Sequence, residues 1–301
     1  MSKLLVTGGA GFIGSHLCEG LLARGHQVRV LDNLSYGRRD FVPAGVEFLE
    51  GDIRDLAACR RATKDVDGIF HCAAMSRSGP SQDQIDLCTQ SNITGTQNML
   101  LAAQETRVGR FVYSGSSTYY GNRPVPHRES DPPDLLNIYG LTKKTGEDYC
   151  LLFDRNSSLA CVVLRYFNVY GPRQPETGSY ALVLGIFLNR LAEGKVLEIH
   201  GDGRQRRDFV HVRDVVAANI LSFEQAEKDG VRGEIFNVGS GQGLSVKDLA
   251  DMISPDQVHT AARKGDAAAT LADISKIKAR LGWTPRISFA EGLKELISLG
   301  K

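Results

Sequence analysis

The sequence lacks any long apolar run, and this absence excludes the commonest way of crossing a membrane. No stretch of its 301 residues approaches the roughly 18 consecutive apolar positions that a spanning helix needs. The start also lacks the pattern of a secretory signal, because Met-Ser-Lys leads directly into the short apolar run Leu-Leu-Val. We therefore expect a cytoplasmic protein with no membrane partner.

An excess of charge of either sign is also missing. Lysine and arginine together number 36 and aspartate and glutamate 35, which leaves a formal net charge of +1. The whole chain therefore has no strong attraction to polyanions, and we expect no nucleic acid among its partners.

Closely spaced cysteine pairs are absent, although the chain has six cysteines and seven histidines. None forms a Cys-x-x-Cys pair, and the histidines show no spacing typical of metal ligands, so we expect no metal site. Most cysteines lie among apolar residues, which predicts reduced thiols in or near the core and a reducing compartment. They are Cys18, Cys59, Cys72, Cys88, Cys150 and Cys161.

Short apolar runs alternate with helix-like segments through the first half of the chain. Such alternation predicts an α/β protein with a doubly wound parallel sheet, covered by helices on both faces as in the Rossmann fold. The runs that indicate strands are 3–7, 27–32, 46–51, 67–73, 110–115 and 160–167.

The regular alternation ends near Gly171, and shorter elements follow. We expect a smaller C-terminal α/β substrate lobe there, with one segment returning to the first lobe. The predicted division assigns 1–171 and about 208–238 to the first lobe, and about 172–207 and 239–301 to the second.

A glycine-rich loop follows the first predicted strand and opens the first predicted helix. In TGGAGFIGSHL, Gly8, Gly11 and Gly14 have the spacing that lets a backbone approach a pyrophosphate at a helix N-terminus. Asp32, at the end of the second strand, is placed to bind ribose hydroxyls, which favours NAD over NADP. Asp52 in GDIRD is either an acceptor for adenine or a plain turn aspartate. A glycine-rich turn without a ligand is the alternative for the whole motif.

Tyr139 and Lys143 in NIYGLTK lie one turn apart on a predicted helix and share a face. Tyrosine has a pKa near ~10, so it acts as a base at neutral pH only if an ammonium and a nicotinamide cation stabilise its phenolate. The spacing alone is weak evidence, because an ordinary amphipathic helix can show it by chance.

A cluster of hydroxyl side chains follows the fifth predicted strand, at the sheet edge where ligands bind. A hydroxyl there can hydrogen-bond a sugar oxygen and pass its proton to a tyrosinate. For any single residue a cap on the next segment is the better interpretation, but for the group we favour function. The cluster comprises Ser114, Ser116, Ser117 and Thr118.

Taken in order, these motifs resemble the extended short-chain dehydrogenase/reductases, in the nucleotide-sugar epimerase/dehydratase group. The resemblance spans about Lys3 to Leu293 and rests on TGGAGFIG, GDIRD, FHCAA, SSTYYG, YGLTK, LRYFNVYGPRQ, GDGRQRRDF, NVGSG and ADISK. It implies NAD as the cofactor, a UDP-sugar as the substrate, and a homodimer formed through helices around 84–106 and 138–154.

The resemblance also implies residue roles, with Tyr139, Lys143 and Ser116 as the catalytic residues. The residues that would bind NAD are Gly8, Gly11, Phe12, Ile13, Gly14, Asp32, Asn33, Asp52, Ile53, Ala73, Asn92, Ser114, Tyr139, Lys143 and Tyr166. Those that would bind the substrate are Ser116, Ser117, Thr118, Tyr139, Asn168, Arg207, Arg263, Asp266 and Thr270.

Within that family, the residues near the serine and the tyrosine favour 4-epimerisation of a UDP-hexose or UDP-N-acetylhexosamine. Similar dehydratases carry an acidic pair where this chain has Ser117 and Thr118, and similar decarboxylases carry acids at 140–142, here Gly-Leu-Thr. The alternatives are another reaction of the family (dehydratase, uronate epimerase or decarboxylase) and a non-catalytic nucleotide-sugar-binding protein. Gly115 and the segment after FHCAA depart from the family pattern.

Two positions bear on the choice of sugar. Asn168 occupies the place where similar uronate-specific enzymes often carry threonine, which favours a neutral sugar. Thr270 occupies a position that lines the sugar pocket in similar 4-epimerases, where a bulky residue excludes N-acetyl groups. Because threonine is small, we expect N-acetylhexosamines to be accepted alongside hexoses.

Overall fold

The computed structural model describes residues 1–76, 78–176, 181–228, 230–261 and 268–299. The strands are β1 (Lys3–Thr7), β2 (Gln27–Asp32), β3 (Glu47–Glu50), β4 (Gly68–His71), β5 (Arg110–Ser116), β6 (Ala160–Tyr166), β7 (Asn168–Tyr170), β8 (Leu197–His200), β9 (Arg206–His211), β10 (Ile235–Val238), β11 (Gly243–Ser245) and β12 (Gln257–Thr260). The helices are α1 (Phe12–Ala23), α2 (Leu56–Thr63), α3 (Ser78–Asp83), α4 (Ile85–Thr89), α5 (Gly95–Glu105), α6 (Ile138–Asn156), α7 (Val183–Ala192), α8 (Val212–Gln225), α9 (Val246–Ile253), α10 (Ser275–Leu281) and α11 (Phe289–Leu299).

Seven strands form one parallel sheet in the order β10-β6-β5-β4-β1-β2-β3, which confirms the doubly wound α/β prediction. Six of them are the apolar runs of the first half of the chain. Successive residues of a strand point to opposite faces, and both faces are covered here. In β1, Leu4 and Val6 pack into a core with residues of α1 and α8, whereas Leu5 packs on the other face with residues of α2, α5 and α6.

Two smaller sheets lie in the C-terminal half of the described chain. One is mixed, with the order β11-β9-β7, and the other pairs β12 with β8 in parallel. Their strands and neighbouring helices share a separate apolar core that includes Tyr170, Phe187 and Leu249. Strand β9 crosses the predicted boundary at 207/208 and joins the smaller sheet, while α8 and β10 pack with the main sheet. The division into two lobes stays a prediction.

The register of the main sheet brings polar residues together at its carboxyl edge. Thr7 at the end of β1 pairs with His71 at the end of β4, and Ser116 at the end of β5 pairs with Tyr166 at the end of β6. A 3₁₀ turn, Ser117–Tyr120, follows β5 directly. All six cysteines are free thiols. In the described part of the chain, no helix is both long enough and apolar enough to pass through a bilayer.

Candidate active site

A cleft of about 630 Å³ opens at the carboxyl edge of the main sheet. It extends from the end of β2 and the loop after β3, past β1 and β4, to β5, β6 and α6. All the residues predicted to bind NAD line it except Asn92, and it is also lined by Ser116, Ser117, Thr118 and Asn168. The structure therefore brings the predicted catalytic residues and the glycine-rich loop to one cleft.

The glycine-rich loop can approach its surroundings closely because its glycines have no side chains. Gly8 has a φ of +71°, and a Cβ there would lie 2.8 Å from the backbone nitrogen of Ala73. A Cβ on Gly14 would lie 2.2 Å from the carbonyl oxygen of Gly8. The N-terminus of α1, beginning at Phe12, thus faces the cleft with N–H groups that suit a pyrophosphate. These residues fit a dinucleotide.

Asp32 is held firmly at the cleft wall. Its carboxylate accepts hydrogen bonds from the backbone N–H of Ala10 at 2.9 Å and of Leu34 at 2.8 Å. Each carboxylate oxygen can accept a second bond, so ribose hydroxyls can still bind. At the same end of the cleft, hydrogen bonds from Arg54, with a further one from Asn33, lower the pKa of Asp52 to about 2. Asp52 therefore stays ionised at neutral pH.

Asn92 lies behind the wall rather than on it, in a π-helical turn at Gln90–Thr94. Its Oδ1 accepts from the N–H of Met75 at 2.8 Å, and its Nδ2 donates to the Met75 carbonyl at 2.9 Å. The same Nδ2 donates to Thr142 Oγ1 at 2.9 Å. Asn92 thus joins the loop after β4 to α6, and its contact with NAD remains a prediction.

A chain of buried, neutral polar groups supports the same wall. Thr96 Oγ1 donates to the carbonyl of Asn92 at 2.7 Å, so it accepts from Nε2–H of His71 at 3.0 Å. The other ring nitrogen of His71 then accepts from Thr7 Oγ1 at 2.8 Å. Burial lowers the pKa of His71 to about 3, so the ring carries no charge at neutral pH.

Lys143 is nearly buried, with 6% of its surface exposed, and its Nζ lies 4.4 Å from the centre of the Tyr113 ring. Burial lowers its pKa to about 8, so the ammonium form still dominates at pH 7. Tyr139, one turn earlier on α6, also lines the cleft. Burial raises the pKa of three neighbouring thiols, which therefore stay neutral: Cys72, Cys88 and Cys150.

The hydroxyl of Ser116 is oriented by the turn that follows it. Ser116 Oγ accepts from Thr118 Oγ1 at 2.9 Å and from the Thr118 N–H at 3.3 Å. Its own proton is therefore available for a hydrogen bond to a ligand. Ser114, two residues earlier, donates to Cys72 Sγ at 3.3 Å, which places its hydroxyl on the floor of the cleft.

The remaining predicted substrate residues do not all reach the cleft. Asn168 lines it, and its Nδ2 donates to Thr270 Oγ1 at 3.2 Å, so Thr270 lies behind Asn168 and off the described wall. Arg207 is half-buried on β9, also off that wall, and it donates to the backbone carbonyl of the preceding residue at 2.9 Å. Two predicted residues lie outside the described part of the chain: Arg263 and Asp266.

Some residues that line the cleft could not be predicted from the sequence. They are apolar or small residues of loops and short helices, and neither periodicity nor charge distinguishes them: Met75, Leu87, Ser91, Pro175 and Leu182. The FHCAA motif alone could have pointed to the first of them, since it follows that motif directly. The described residues contain no group of three or more His, Cys, Asp or Glu that could hold a metal ion.

Comparison with known proteins shows that the chain matches one protein family and has relatives that are similar over nearly its full length. Residues 4–239 match the NAD dependent epimerase/dehydratase family. A UDP-glucose 4-epimerase of Corynebacterium glutamicum is 34% identical over 94% of this chain and 91% of its own length. A UDP-N-acetyl-alpha-D-glucosaminuronate decarboxylase of Bacillus cytotoxicus is 30% identical over 98% of this chain and 96% of its own.

Solved structures agree with these relatives. A UDP-glucose 4-epimerase of Thermotoga maritima with UDP-glucose has a TM-score of 0.92 and 36% identity, covering 98% of this chain and 97% of that one. A UDP-N-acetylglucosamine 4-epimerase of Methanobrevibacter ruminantium with UDP-N-acetylmuramic acid has a TM-score of 0.92 and 32% identity, covering 99% and 97%.

Burial of Lys143 leads to a prediction about stability. The folded state binds this proton less tightly than the unfolded chain, so below pH 8 the charge destabilises the NAD-free fold by about 3 kcal/mol. Lys143→Met should raise the free energy of unfolding of NAD-free protein by about that amount at pH 7. The gain should shrink as the pH rises from 8 toward 10.5, where the folded wild type loses the proton first.

Urea unfolding of the two NAD-stripped proteins at pH 7 and pH 9.5 measures this difference. Lys144→Met is the matched control, because Lys144 pairs with Asp148 at the surface of the same helix and should give no such gain. A Lys143→Met variant that is less stable than wild type at pH 7 would contradict the prediction.

Proposed function

Because the chain belongs to the NAD-dependent epimerase/dehydratase family, we propose that it inverts C4 of a UDP-hexose or UDP-N-acetylhexosamine through a transient 4-keto sugar. The observation that carries the proposal is the distribution of acids in the cleft. Among the described residues that line it, the only carboxylates are those of Asp32 and Asp52, at its β2 end. Strands β1 and β4 lie between that end and β5, the strand against which Lys143 of α6 packs. Near Tyr139 the described wall offers hydroxyls and an ammonium, which supports exchange at one carbon rather than acid-assisted elimination.

In the proposed reaction, the side chains of the cleft have the following roles. The phenolate of Tyr139, stabilised by the ammonium of Lys143, takes the proton of the 4-hydroxyl while C4 is oxidised. NAD, held by the glycine-rich loop and Asp32, would supply the hydride chemistry at C4, and the oxidised sugar would turn in the cleft before C4 is reduced from its opposite face. Ser116 donates a hydrogen bond to the same sugar oxygen, and Tyr139 then gives its proton back. Binding of the unreactive UDP portion keeps the sugar in the cleft while it turns.

Position 140 supports this reaction over decarboxylation. A Cβ on Gly140 would lie 3.3 Å from the carbonyl oxygen of Thr118, so α6 packs directly against the turn that follows Ser116. Similar decarboxylases carry acids just after the tyrosine, whereas this chain has a glycine in close contact with that carbonyl and no acid at 140.

The central test is Tyr139→Phe, which removes the base and keeps the ring. Interconversion of UDP-glucose and UDP-galactose should fall by about 10³-fold or more, because proton transfer in the transition state is lost. NAD should stay bound, since the glycine-rich loop and Asp32 are unchanged. NMR of the product mixture and release of NAD from denatured protein measure the two effects.

Tyr149→Phe is the matched control, because Tyr149 lies on the same helix away from the described cleft wall and should keep full activity. In wild-type protein, a 4-keto-6-deoxy product would indicate a dehydratase. Net accumulation of NADH would indicate an oxidoreductase, and bound NAD with no conversion of a UDP-sugar panel would indicate a binding protein. Each of these outcomes would refute the proposed reaction.

Sugar choice is tested at position 270. Thr270→Tyr should lower turnover of UDP-GlcNAc at least about tenfold more than that of UDP-glucose, because a ring on the residue behind Asn168 would displace that side chain into the cleft and reduce the space for an N-acetyl group. Thr270→Val is the control: it removes only the hydroxyl that binds Asn168, and it should affect both sugars alike. Equal loss on both sugars in the tyrosine variant would count against the proposal.

The homodimer stays a proposal, supported by exposed apolar side chains on α4 and α6. Ile85, Leu141 and Leu152 are 49%, 47% and 52% exposed. Sedimentation velocity should show a dimer for wild type and a monomer for the double variant Leu141→Glu/Leu152→Glu. Met252→Glu, at an exposed site on α9, should remain dimeric. A monomeric wild type would refute this proposal.

A further inference from the structure

A buried ion pair lies beneath the candidate active site without lining it. Glu147 is on α6, one turn after Lys143, and Arg165 is on β6, next to Tyr166. They are 3% and 1% exposed. The guanidinium donates two parallel hydrogen bonds to the carboxylate, from Nε at 2.9 Å and from Nη2 at 2.7 Å. This fork fixes the position of α6 along the sheet.

The same guanidinium also contacts the turn that follows Ser116. Its Cζ lies 3.5 Å from the centre of the Tyr119 ring, and Nη1 donates to Tyr120 Oη at 2.8 Å. Tyr119 and Tyr120 end the 3₁₀ turn whose first residues orient the Ser116 hydroxyl. Arg165 therefore touches the helix that carries Tyr139 and the turn that carries Ser116.

Helix and turn also meet directly at the cleft, where Gly140 packs against the carbonyl of Thr118. Two of the contacts that set the spacing between them are the close approach at Gly140 and, two turns further along α6, the Arg165–Glu147 pair, in which Arg165 also holds the turn. A glycine contact alone resists compression but does not resist sliding or separation. The ion pair supplies that restraint, because its two parallel bonds are directional.

A buried ion pair is a poor choice if stability is all that is needed. Transfer of both charges from water into the core has a free-energy cost, and the attraction and hydrogen bonds of the pair do little more than offset it. An apolar pair of similar volume stabilises the fold equally well. The geometry that the charges impose is what an apolar pair cannot reproduce.

We propose that Arg165 and Glu147 are positioning residues for the reaction, which hold the Tyr139 phenol and the Ser116 hydroxyl on the same sugar oxygen. The inference rests on the proposed function, since it concerns the step that these two groups share. It assigns neither residue a contact with NAD or substrate.

The test is the double variant Glu147→Leu/Arg165→Met, which removes both charges and fills their volume. Thermal unfolding, bound NAD and KM for the UDP-sugar should stay near wild type, because apolar side chains replace the pair. The kcat should fall about 100-fold, because small misplacements of reacting groups have effects of that size. A merely structural pair would change stability and leave the kcat of the folded protein unchanged.

Two further variants complete the design. Arg165→Lys keeps the charge but loses the fork, so it should lower kcat with bound NAD and KM retained, and it serves if the double variant fails to fold. Arg29→Met/Glu47→Leu removes an ion pair of 2.9 Å between β2 and β3 in the same sheet, and it should keep wild-type kcat.

The outcomes separate the two proposals. A folded double variant with wild-type kcat overturns the positioning role, as does a loss of kcat that occurs only together with loss of NAD. If the double variant does not fold, wild-type kcat in Arg165→Lys overturns it. A wild-type protein that converts no UDP-sugar refutes the proposed function, and the positioning role falls with it.

Discussion

The site depends on one positive charge in a nearly neutral setting. Among the described residues, no carboxylate forms an ion pair with Lys143, whose neighbours are an aromatic ring, neutral thiols and an uncharged histidine. An ammonium without a carboxylate partner has a field that is not cancelled nearby, and burial keeps water from screening it. That field is what a phenol on the same helix face needs to lose its proton near neutral pH. In the proposed reaction, the burial that destabilises the lysine is therefore also what would let its charge stabilise the phenolate.

The rest of the fold gives that lysine no ionic partner among the described residues and brings polar groups close to it. His71 accepts a hydrogen bond from Thr7 and donates one to Thr96, so both nitrogens of the neutral ring are satisfied and the buried ring has no reason to take up a proton. The carboxylates on the described cleft wall lie three strands away, where they suit ribose and adenine. The parallel register of β5 and β6 ends both strands at the same level, so Ser116 and Tyr166 lie side by side at the edge of the cleft.

The sequence predicted the main sheet well because its inner strands, such as β6, are buried on both faces and therefore read as continuous apolar runs. The sequence also pointed to the glycine-rich loop, Tyr139, Lys143 and Ser116, because their chemistry requires particular residue types at short spacings. The structure brings them to one cleft, and their roles stay predictions. Asn92 and Thr270 each lie one hydrogen bond behind the described wall, and their contacts with NAD and with the sugar stay predictions. The Arg165–Glu147 pair was missed because periodicity shows which face a residue occupies and never which distant residue it meets.

The chain order of the main sheet has a consequence for synthesis on the ribosome. A nascent chain that has emerged as far as residue 166 already contains six of the seven strands and every residue predicted to hold the dinucleotide. The partner of β6 on its open side, β10, begins only at residue 235. Throughout that interval β6 presents unpaired backbone groups, which are a template for pairing with other chains. Early occupancy by the dinucleotide would stabilise the growing protein at the stage when it is most exposed to aggregation.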